Sequence, residues 1–205
     1  MPRAWLQDRK RDYYYKRAKV EKYRSRASYK LLQAVSRYHF IKDGNTVLDL
    51  GAAPGGWTQA ARKNVGSRGF VLGVDLKPIE AFDEPNTQTI NGDIEDEGTL
   101  REILEVLPRG ADAVISDASP NISGVWEVDH ARQMSLAMRA LDIALETLRP
   151  GGSFFVKVFQ GDMLDDFIRK IKSHFQVVRV VKPEASRGKS SELFILGLKL
   201  REPAQ

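Results

Sequence analysis

The chain has 205 residues, 42% of them hydrophobic, which is enough for one sizeable domain with its own core. It contains no apolar run of about 18 residues, and its basic N-terminus is not followed by an apolar segment, so neither a transmembrane helix nor a secretory signal is expected. The absence of cysteine excludes a disulfide framework and any reaction that needs a thiolate nucleophile. Together with the lack of a membrane span and a signal, this predicts a cytoplasmic protein. The three histidines lie far apart, so no metal site is expected.

The net charge of +5 is distributed unevenly along the chain. Residues 1–30 contain eleven lysines and arginines against three acids, so this segment carries +8 and the rest of the chain −3. We predict that residues 1–27 form a basic arm that binds a polyanion, with Tyr13, Tyr14, Tyr15 and Tyr23 offering rings on which RNA bases can stack. The alternative is a solvated basic tail with no binding role.

Beyond this arm, short apolar runs alternate with longer segments of helical periodicity, which predicts an α/β sheet with helices on both faces. The expected helices are residues 28–40, 56–64, 97–106, 130–148 and 162–173. The expected strands are residues 46–50, 70–76, 87–91, 113–116, 153–159, 177–181 and 193–200. No helical pattern separates the last two strands, so we expect a hairpin whose final strand is antiparallel to its neighbours. One domain would thus cover residues 28–200, followed by a short tail, 201–205.

A glycine-rich turn, Asp-Leu-Gly-Ala-Ala-Pro-Gly-Gly-Trp at 49–57, follows the first predicted strand. It is not a Walker loop, because Trp57 stands where the phosphate-binding lysine belongs. It is also a poor dinucleotide fingerprint, because Ala53 replaces the second glycine and Pro54 has no N–H to donate. The turn is therefore expected to hold a small ligand without phosphate.

An acid lies at or just beyond the end of each of the first four predicted strands: Asp49, Asp75, Asp93 and Asp117. The carboxyl ends of parallel strands share one edge of the sheet, so four carboxylates there would suit a ligand with positive charge and many hydrogen-bond donors. S-adenosylmethionine, with its sulfonium, ammonium, ribose diol and adenine amino group, meets that description. For any single aspartate the alternative is a helix N-cap.

The sequence also limits which chemical group can accept the methyl group. Methylation at pyrimidine C5 needs a cysteine, and amino-group enzymes commonly use an Asn/Asp-Pro-Pro-aromatic turn, whereas this chain has Asp-Ala-Ser-Pro-Asn at 117–121. A hydroxyl acceptor, which needs a base, fits better. Lys157 is the candidate base, because a charge inside the apolar run 154–159 is costly unless it has partners or a task. The alternative is a strand lysine that reaches solvent at the sheet edge.

Five segments, in this order, resemble the FtsJ/RrmJ-like ribose 2′-O-methyltransferases over nearly the whole chain: 25–30, 49–57, 116–124, 152–161 and 190–194. The resemblance implies a Rossmann-like class I methyltransferase fold with a seven-stranded, mostly parallel sheet and an antiparallel last strand. It also implies that Lys157 accepts the proton of a ribose 2′-hydroxyl, while Lys30 and Glu192 hold the hydroxyl and the lysine in line. The implied catalytic tetrad is Lys30, Asp117, Lys157 and Glu192, and the implied S-adenosylmethionine contacts are Gly55, Trp57, Asp75, Asp93 and Asp117.

The same resemblance favours a uridine of large-subunit ribosomal RNA, near the peptidyl-transferase centre, as the substrate. The expected enzyme is a monomer that acts on the large ribosomal subunit and has no membrane partner. Three alternatives stay open: 2′-O-methylation of tRNA, a non-catalytic RNA-binding or ribosome-assembly factor, and a small-molecule O-methyltransferase. The last of these would leave the basic arm unexplained.

Overall fold

The computed structural model describes residues 12–107, 109–188 and 190–202, which form seven strands and six helices. None of the helices in these ranges is long and apolar enough to span a membrane. In chain order the elements are α1 (Tyr13–Val20), α2 (Ser28–Tyr38), β1 (Thr46–Leu50), α3 (Gly56–Val65), β2 (Phe70–Asp75), β3 (Thr87–Asn91), α4 (Glu97–Val106), β4 (Ala111–Ser116), α5 (Trp126–Thr147), β5 (Leu148–Phe159), α6 (Leu164–His174), β6 (Phe175–Val181) and β7 (Glu192–Leu200).

The strands make one sheet in the order β3-β2-β1-β4-β5-β7-β6. Pairing is parallel from β3 through to β5, and β7 is antiparallel to both of its neighbours, β5 and β6. The predicted mostly parallel sheet with an antiparallel last strand is therefore confirmed. After β1 the chain continues to one side through β2 and β3, then returns to the other side at β4. Such a switch point leaves a cleft at the carboxyl edge of the sheet, where α/β folds bind ligands.

Two apolar clusters cover the two faces of the sheet, as the alternation of side chains along a strand requires. One cluster joins α4, α5 and α6 to the face that carries Leu48 and Phe154. The other joins α2 and α3 to the opposite face, which carries Val47 and Phe155. The predicted placement of helices on both faces is thus confirmed.

Several element boundaries differ from the sequence-based expectation. Helix α5 begins at Trp126 rather than at residue 130, and α6 begins at Leu164 rather than at 162. Strand β5 begins at Leu148, before the Pro-Gly-Gly segment, because its pairing with β4 shifts register between Ala111 and Ala113 and leaves that segment outside the ladder. Pro150 has no N–H to donate to a neighbouring strand, and it is tolerated here because the register shift leaves it unpaired with β4.

Part of the predicted basic arm is folded against the domain. Helix α1, which the sequence analysis did not predict, buries Ala18 against Tyr29 and Ala185. The Arg24 guanidinium donates hydrogen bonds to the carbonyls of Glu80 (2.5 Å) and Ala81 (2.7 Å). The boundary at residue 27 and an RNA-binding role stay predictions. Residues 1–11 of the arm and 203–205 of the tail lie outside the described residues.

Asp49 is a buried carboxylic acid within the central strand β1. Its Oδ2 accepts a hydrogen bond from the Thr58 hydroxyl of α3 (2.7 Å), and its Oδ1 has no hydrogen-bond partner. Burial raises the pKa of Asp49 to about 7; the Thr58 hydrogen bond opposes this shift, and the carboxylates of Asp117 and Asp75 add to it. The neutral acid is therefore the form that the folded protein accommodates best.

We expect Asp49→Asn to change how the melting temperature depends on pH. The folded-state pKa lies above that of an unfolded aspartate, so the stability from neutral Asp49 is complete below about pH 4. It is lost as the pH rises through about 7. Asparagine cannot ionise, so the wild-type melting temperature should fall relative to that of the variant between about pH 5 and pH 8.

The matched control is Asp83→Asn at an exposed position, which should keep the wild-type pH profile. Calorimetric scans across this pH range make the comparison. Parallel melting curves for wild type and Asp49→Asn would contradict the assignment of a raised pKa to Asp49.

Candidate active site

The carboxyl ends of the first four strands surround a cavity of about 590 Å³, hereafter the main cavity. Its volume is in the range of small-molecule sites. Its lining comes from the glycine turn after β1, from the loops after β2 and β3, and from residues 117–121 after β4. The main cavity therefore occupies the topological switch point of the sheet.

Gly51 lets two of these loops meet beside the main cavity. It has a φ of +74°, and a Cβ atom built on it would lie 2.5 Å from Ala118 Cα. Its N–H and that of Ala52 both donate to the Val74 carbonyl, at 2.8 Å and 3.1 Å. Only glycine fits this backbone conformation and this contact, so the turn after β1 lies directly against the loop after β4.

Asp75 and Asp93 line the main cavity and also shape the backbone beside it. Asp75 accepts hydrogen bonds from the N–H groups of Ala53 (2.9 Å) and Lys77 (2.7 Å), and Asp93 accepts one from Glu95 N–H (2.9 Å). Neither residue is a helix N-cap, since the cap of α4 is a different acid, Asp96. Carboxylate oxygens have further lone pairs, so both side chains can still accept hydrogen bonds from a ligand.

Two residues expected to contact the cofactor, Gly55 and Trp57, are not part of the lining of the main cavity. Trp57 is only 3% exposed; its Nε1–H donates to the Ala27 carbonyl (2.8 Å), and its ring stacks on Phe155. Its side chain therefore joins α2 to the core, and any cofactor contact from Trp57 would come from its backbone. Gly55 is the N-cap of α3, with a φ of +102°, and it packs against Arg24. The cofactor contacts of both residues stay predictions.

The four residues of the expected tetrad lie together at the same edge of the sheet. Lys157 Nζ donates to the Asp117 carbonyl (2.7 Å) and lies 3.1 Å from Asp117 Oδ1. Lys30 Nζ lies 2.7 Å from Glu192 Oε2 and 4.0 Å from Asp117 Oδ1. Two ammonium groups thus alternate with two carboxylates in one continuous cluster.

Strand register explains why residues so distant in sequence meet here. Strand β4 pairs in parallel with β5 so that Ser116 is opposite Val156, which places the next residues, Asp117 and Lys157, side by side. In the antiparallel β5–β7 pair, Glu192 is opposite Phe159, two residues beyond Lys157 and therefore on the same face of the sheet. Helix α2 covers this face and contributes Lys30.

The cluster is largely shielded from solvent, which strengthens its electrostatic interactions. Lys157 is 5% exposed. Burial acts to raise the pKa of Asp117, but the charges of Lys157 and Lys30 outweigh it and hold that pKa below its usual value. Glu192 is fixed from its other side by a hydrogen bond from the Ser186 hydroxyl (2.9 Å). Asp117 also lines the main cavity, so the cluster and the cavity share one residue.

A second cavity, of about 280 Å³, adjoins the tetrad at Lys30 and Glu192. Two arginines line it, Arg26 and Arg187, and burial followed by the charge of Arg187 lowers the pKa of Arg26. Arg26 is held by an ion pair with Asp12 and donates to the Ala185 carbonyl. In the sequence, Arg26 is one of several basic residues of the arm, and no motif marks Arg187. The only signal was that Arg26 lies in the resembling segment 25–30.

Among the residues that the structure describes, no three histidine, aspartate or glutamate side chains are grouped so that they could hold a metal ion. The polar groups at the carboxyl edge are instead a cavity lined by aspartates, a buried cluster of paired charges and a small basic cavity. This arrangement suits an organic cofactor next to a substrate that carries negative charge.

Comparisons with known proteins agree with this architecture. Residues 23–200 match the family model described as FtsJ-like methyltransferase. A protein of Methanocaldococcus jannaschii is 50% identical over 197 residues, covering 95% of this chain and 80% of its own length. One of Methanothrix thermoacetophila is 52% identical over 190 residues, covering 93% and 73%. Both relatives are named ribosomal RNA large subunit methyltransferase E.

Solved structures show the same fold. A Plasmodium falciparum protein assigned as a ribosomal RNA methyltransferase is 26% identical, with a TM-score of 0.77 and coverage of 88% of this chain and 100% of that one. Aeropyrum pernix fibrillarin, which holds S-adenosyl-L-methionine, is 19% identical with a TM-score of 0.58 and coverage of 86% and 75%. The fold is that of a class I methyltransferase, and the match to the family model together with identities near 50% shows that this chain belongs to the FtsJ-like methyltransferase family.

Proposed function

We propose that this protein transfers a methyl group from S-adenosylmethionine to a ribose 2′-hydroxyl, on a uridine of large-subunit ribosomal RNA. The observation that carries the proposal is the cluster of Lys157, Asp117, Lys30 and Glu192 at the rim of the main cavity. The names of the two curated relatives support ribosomal RNA as the substrate. The proposed substrate would place the enzyme in the cytoplasm, as the sequence analysis expects.

The main cavity fits the cofactor chemically. Asp75, Asp93 and Asp117 line it, so it offers acceptors to hydroxyl, amino and ammonium groups and negative charge to a cation. The turn beside it, with Pro54 and no lysine, does not offer the donors that a pyrophosphate needs. When bound, S-adenosylmethionine supplies a methyl group activated by a positively charged sulfur.

Lys157 is the proton acceptor in this proposal. The hydroxyl must lose its proton as its oxygen forms the new bond to carbon, and a base within hydrogen-bond reach lowers that barrier. Only the neutral amine can take this proton, so the Lys157 ammonium that pairs with Asp117 must first release a proton to solvent, and the amine then accepts the proton of the hydroxyl. Both the carbonyl and the carboxylate of Asp117 contact Nζ, so the amine is held at a fixed position beside the main cavity. Such fixed placement removes much of the entropic cost of bringing base and acceptor together.

Lys30 and Glu192 position the acceptor. The Lys30 ammonium is fixed by Glu192 and lies near Asp117, so it can donate to the ribose oxygen as the methyl group approaches. Glu192 is itself held by Ser186. Arg26 and Arg187 in the neighbouring cavity provide cations for the adjoining phosphates.

The alternative functions fit less well. A small-molecule O-methyltransferase would leave the arginine-lined second cavity without a role. A non-catalytic assembly factor would not need a lysine buried beside a carboxylate, since burying charge costs free energy without a compensating task. Methylation of tRNA would use the same tetrad, so the choice between the two RNAs rests on the names of the relatives and on a direct comparison of rates.

We expect Lys157→Ala to lower the methylation rate by about 10² to 10⁴, the usual loss when a general base is removed. Cofactor affinity, measured by calorimetry, should stay nearly unchanged, because Lys157 does not line the main cavity. Retained cofactor binding also shows that the variant is folded. Lys172→Ala, an exposed lysine on α6, is the matched control with normal turnover. Near-normal turnover by Lys157→Ala would contradict its role as base.

Asp75→Ala should weaken cofactor binding by roughly 1–3 kcal/mol, through the loss of charge-assisted hydrogen bonds. The matched control is Asp96→Ala, which removes the N-cap of α4 outside the main cavity. The control should lower the melting temperature and leave cofactor affinity intact. If Asp75→Ala behaves like the control in both measurements, Asp75 is only a structural residue.

The preferred substrate should be ribosomal RNA within a large-subunit particle. Cations that contact phosphates give affinity without reading bases, so selectivity requires a preformed RNA shape that presents one unstacked nucleotide. Initial rates should be compared, at matched salt, on large subunits from a strain that lacks the enzyme, on the same RNA stripped of protein, and on unmodified tRNA. Faster methylation of tRNA than of subunits would contradict ribosomal RNA as the preferred substrate. It would not contradict the proposed 2′-O-methylation reaction.

A further inference from the structure

Three aromatic rings, those of Trp126, His130 and Phe159, pack together beside the tetrad. The centroid of the Trp126 ring lies 5.8 Å from that of His130 and 6.0 Å from that of Phe159, with interplanar angles of 19° and 22°. Despite both contacts, Trp126 remains 44% exposed, whereas His130 is buried. A large aromatic side chain that is held by neighbouring rings and still nearly half exposed offers apolar surface to a binding partner.

Phe159 fixes the position of this stack relative to the tetrad. It lies opposite Glu192 in the β5–β7 pair and two residues beyond Lys157 on the same face of β5. Directly paired residues have Cβ atoms about 5 Å apart. Phe159 and Lys157 share the face that α2 covers. The contact with Phe159 places Trp126, the first residue of α5, at the carboxyl edge of the sheet near Glu192.

The loop that leads into Trp126 is held in place by Asp129. Its Oδ1 accepts hydrogen bonds from Ser123 N–H (2.7 Å) and from the Ser123 hydroxyl (2.8 Å), and its Oδ2 accepts one from Gly124 N–H (3.0 Å). These bonds, chiefly that of the Ser123 N–H, lower the pKa of Asp129, so it stays ionised and keeps its acceptors. The indole ring is thus positioned before any substrate arrives.

Charge differs between the two sides of the tetrad. The first turn of α5 contains Glu127 and Asp129, and only part of their charge is offset by Arg132 one turn further on, so this side attracts a phosphate weakly. The second cavity, at α2, contains Arg187 together with Arg26, which is paired with Asp12, so this side attracts a phosphate more strongly. A nucleotide whose ribose lies at Lys157 would therefore direct its uncharged base toward α5.

We propose that Trp126 is a stacking platform for an unpaired base of the RNA substrate, next to the ribose that faces Lys157. The inference rests on the proposed function, because it assumes that RNA enters the tetrad. Every base has a π-face, so the platform binds by stacking and does not select a sequence. Phe159 and His130 support the platform from within.

The first test is steady-state kinetics on protein-free large-subunit RNA. Trp126→Ala should raise the KM for RNA by about 5- to 100-fold, the usual effect of losing one base–aromatic stack, with little change in kcat. Trp126→Phe should keep most of the affinity, because it keeps an aromatic face. Cofactor affinity should be normal in both variants. An unchanged KM in Trp126→Ala would overturn the proposal.

The matched controls are Ile122→Ala and Met163→Ala, which remove other exposed apolar side chains near the platform. Both should leave the KM for protein-free RNA unchanged. If all three alanine variants lose activity equally on intact subunits and none loses affinity for protein-free RNA, the surface binds a ribosomal protein and the stacking proposal is wrong.

Fluorescence provides a test that needs no turnover. The chain has three tryptophans, and a base stacked on the indole ring of Trp126 should quench its emission when a single-stranded oligouridine is added to the Lys157→Ala protein. Adding Trp126→Phe to the Lys157→Ala protein should remove that quenching. If the double variant is quenched as strongly as Lys157→Ala alone, Trp126 does not stack on a base and the proposal is wrong. Should the wild type methylate none of the RNAs, the proposed function fails, and this binding measurement still decides whether Trp126 stacks on a base.

Discussion

The ion pair between Lys157 and Asp117 connects the two halves of the site. Asp117 lines the main cavity and Lys157 belongs to the buried charge cluster, so in the proposed reaction this pair joins the cofactor site to the acceptor site. Removing Asp117 would leave the Lys157 ammonium buried without its carboxylate, which is destabilising, whereas removing Lys157 leaves Asp117 beside Lys30. The pair forms because parallel strands β4 and β5 end in register at one edge, and because Gly51 lets the turn after β1 lie against the loop that follows Asp117.

Similar local signals led to different roles for the four strand-end aspartates. Asp49 is enclosed in the core and favours its neutral form, whereas Asp75 and Asp93 line the main cavity and hold nearby backbone. Asp117 is kept ionised by two lysines. Each acid lies at or near the carboxyl end of a strand, so the sequence alone predicts four similar acceptors. Only the neighbouring helices and loops, which arrive from distant segments, determine which acid is buried, which faces a ligand and which is paired.

The sheet was predictable because buried strands and amphipathic helices have strong periodic patterns, and the tetrad was predictable from its resembling segments. What the sequence did not reveal depends on contacts between distant segments. Helix α1 buries only Ala18, which leaves no periodic apolar pattern to detect. The Trp57 side chain was placed in the core by a hydrogen bond to Ala27, thirty residues away. Trp126 lies at a helix start that periodicity placed four residues later, so its position beside the tetrad followed only from its contact with Phe159.

The insertion of β7 between β5 and β6 gives the proposed acceptor site its polarity. It brings Glu192 next to β5, so that helix α2 and the segment before β7 can place Lys30, Arg26 and Arg187 on one side of Lys157. Helix α5, on the opposite face of the sheet, supplies an aromatic ring and acidic residues instead. A nucleotide also has two chemically different sides, a charged phosphate and an apolar base face. In the proposed reaction the nucleotide would direct its phosphate toward the arginines and its base toward Trp126, which presents the ribose between them to Lys157.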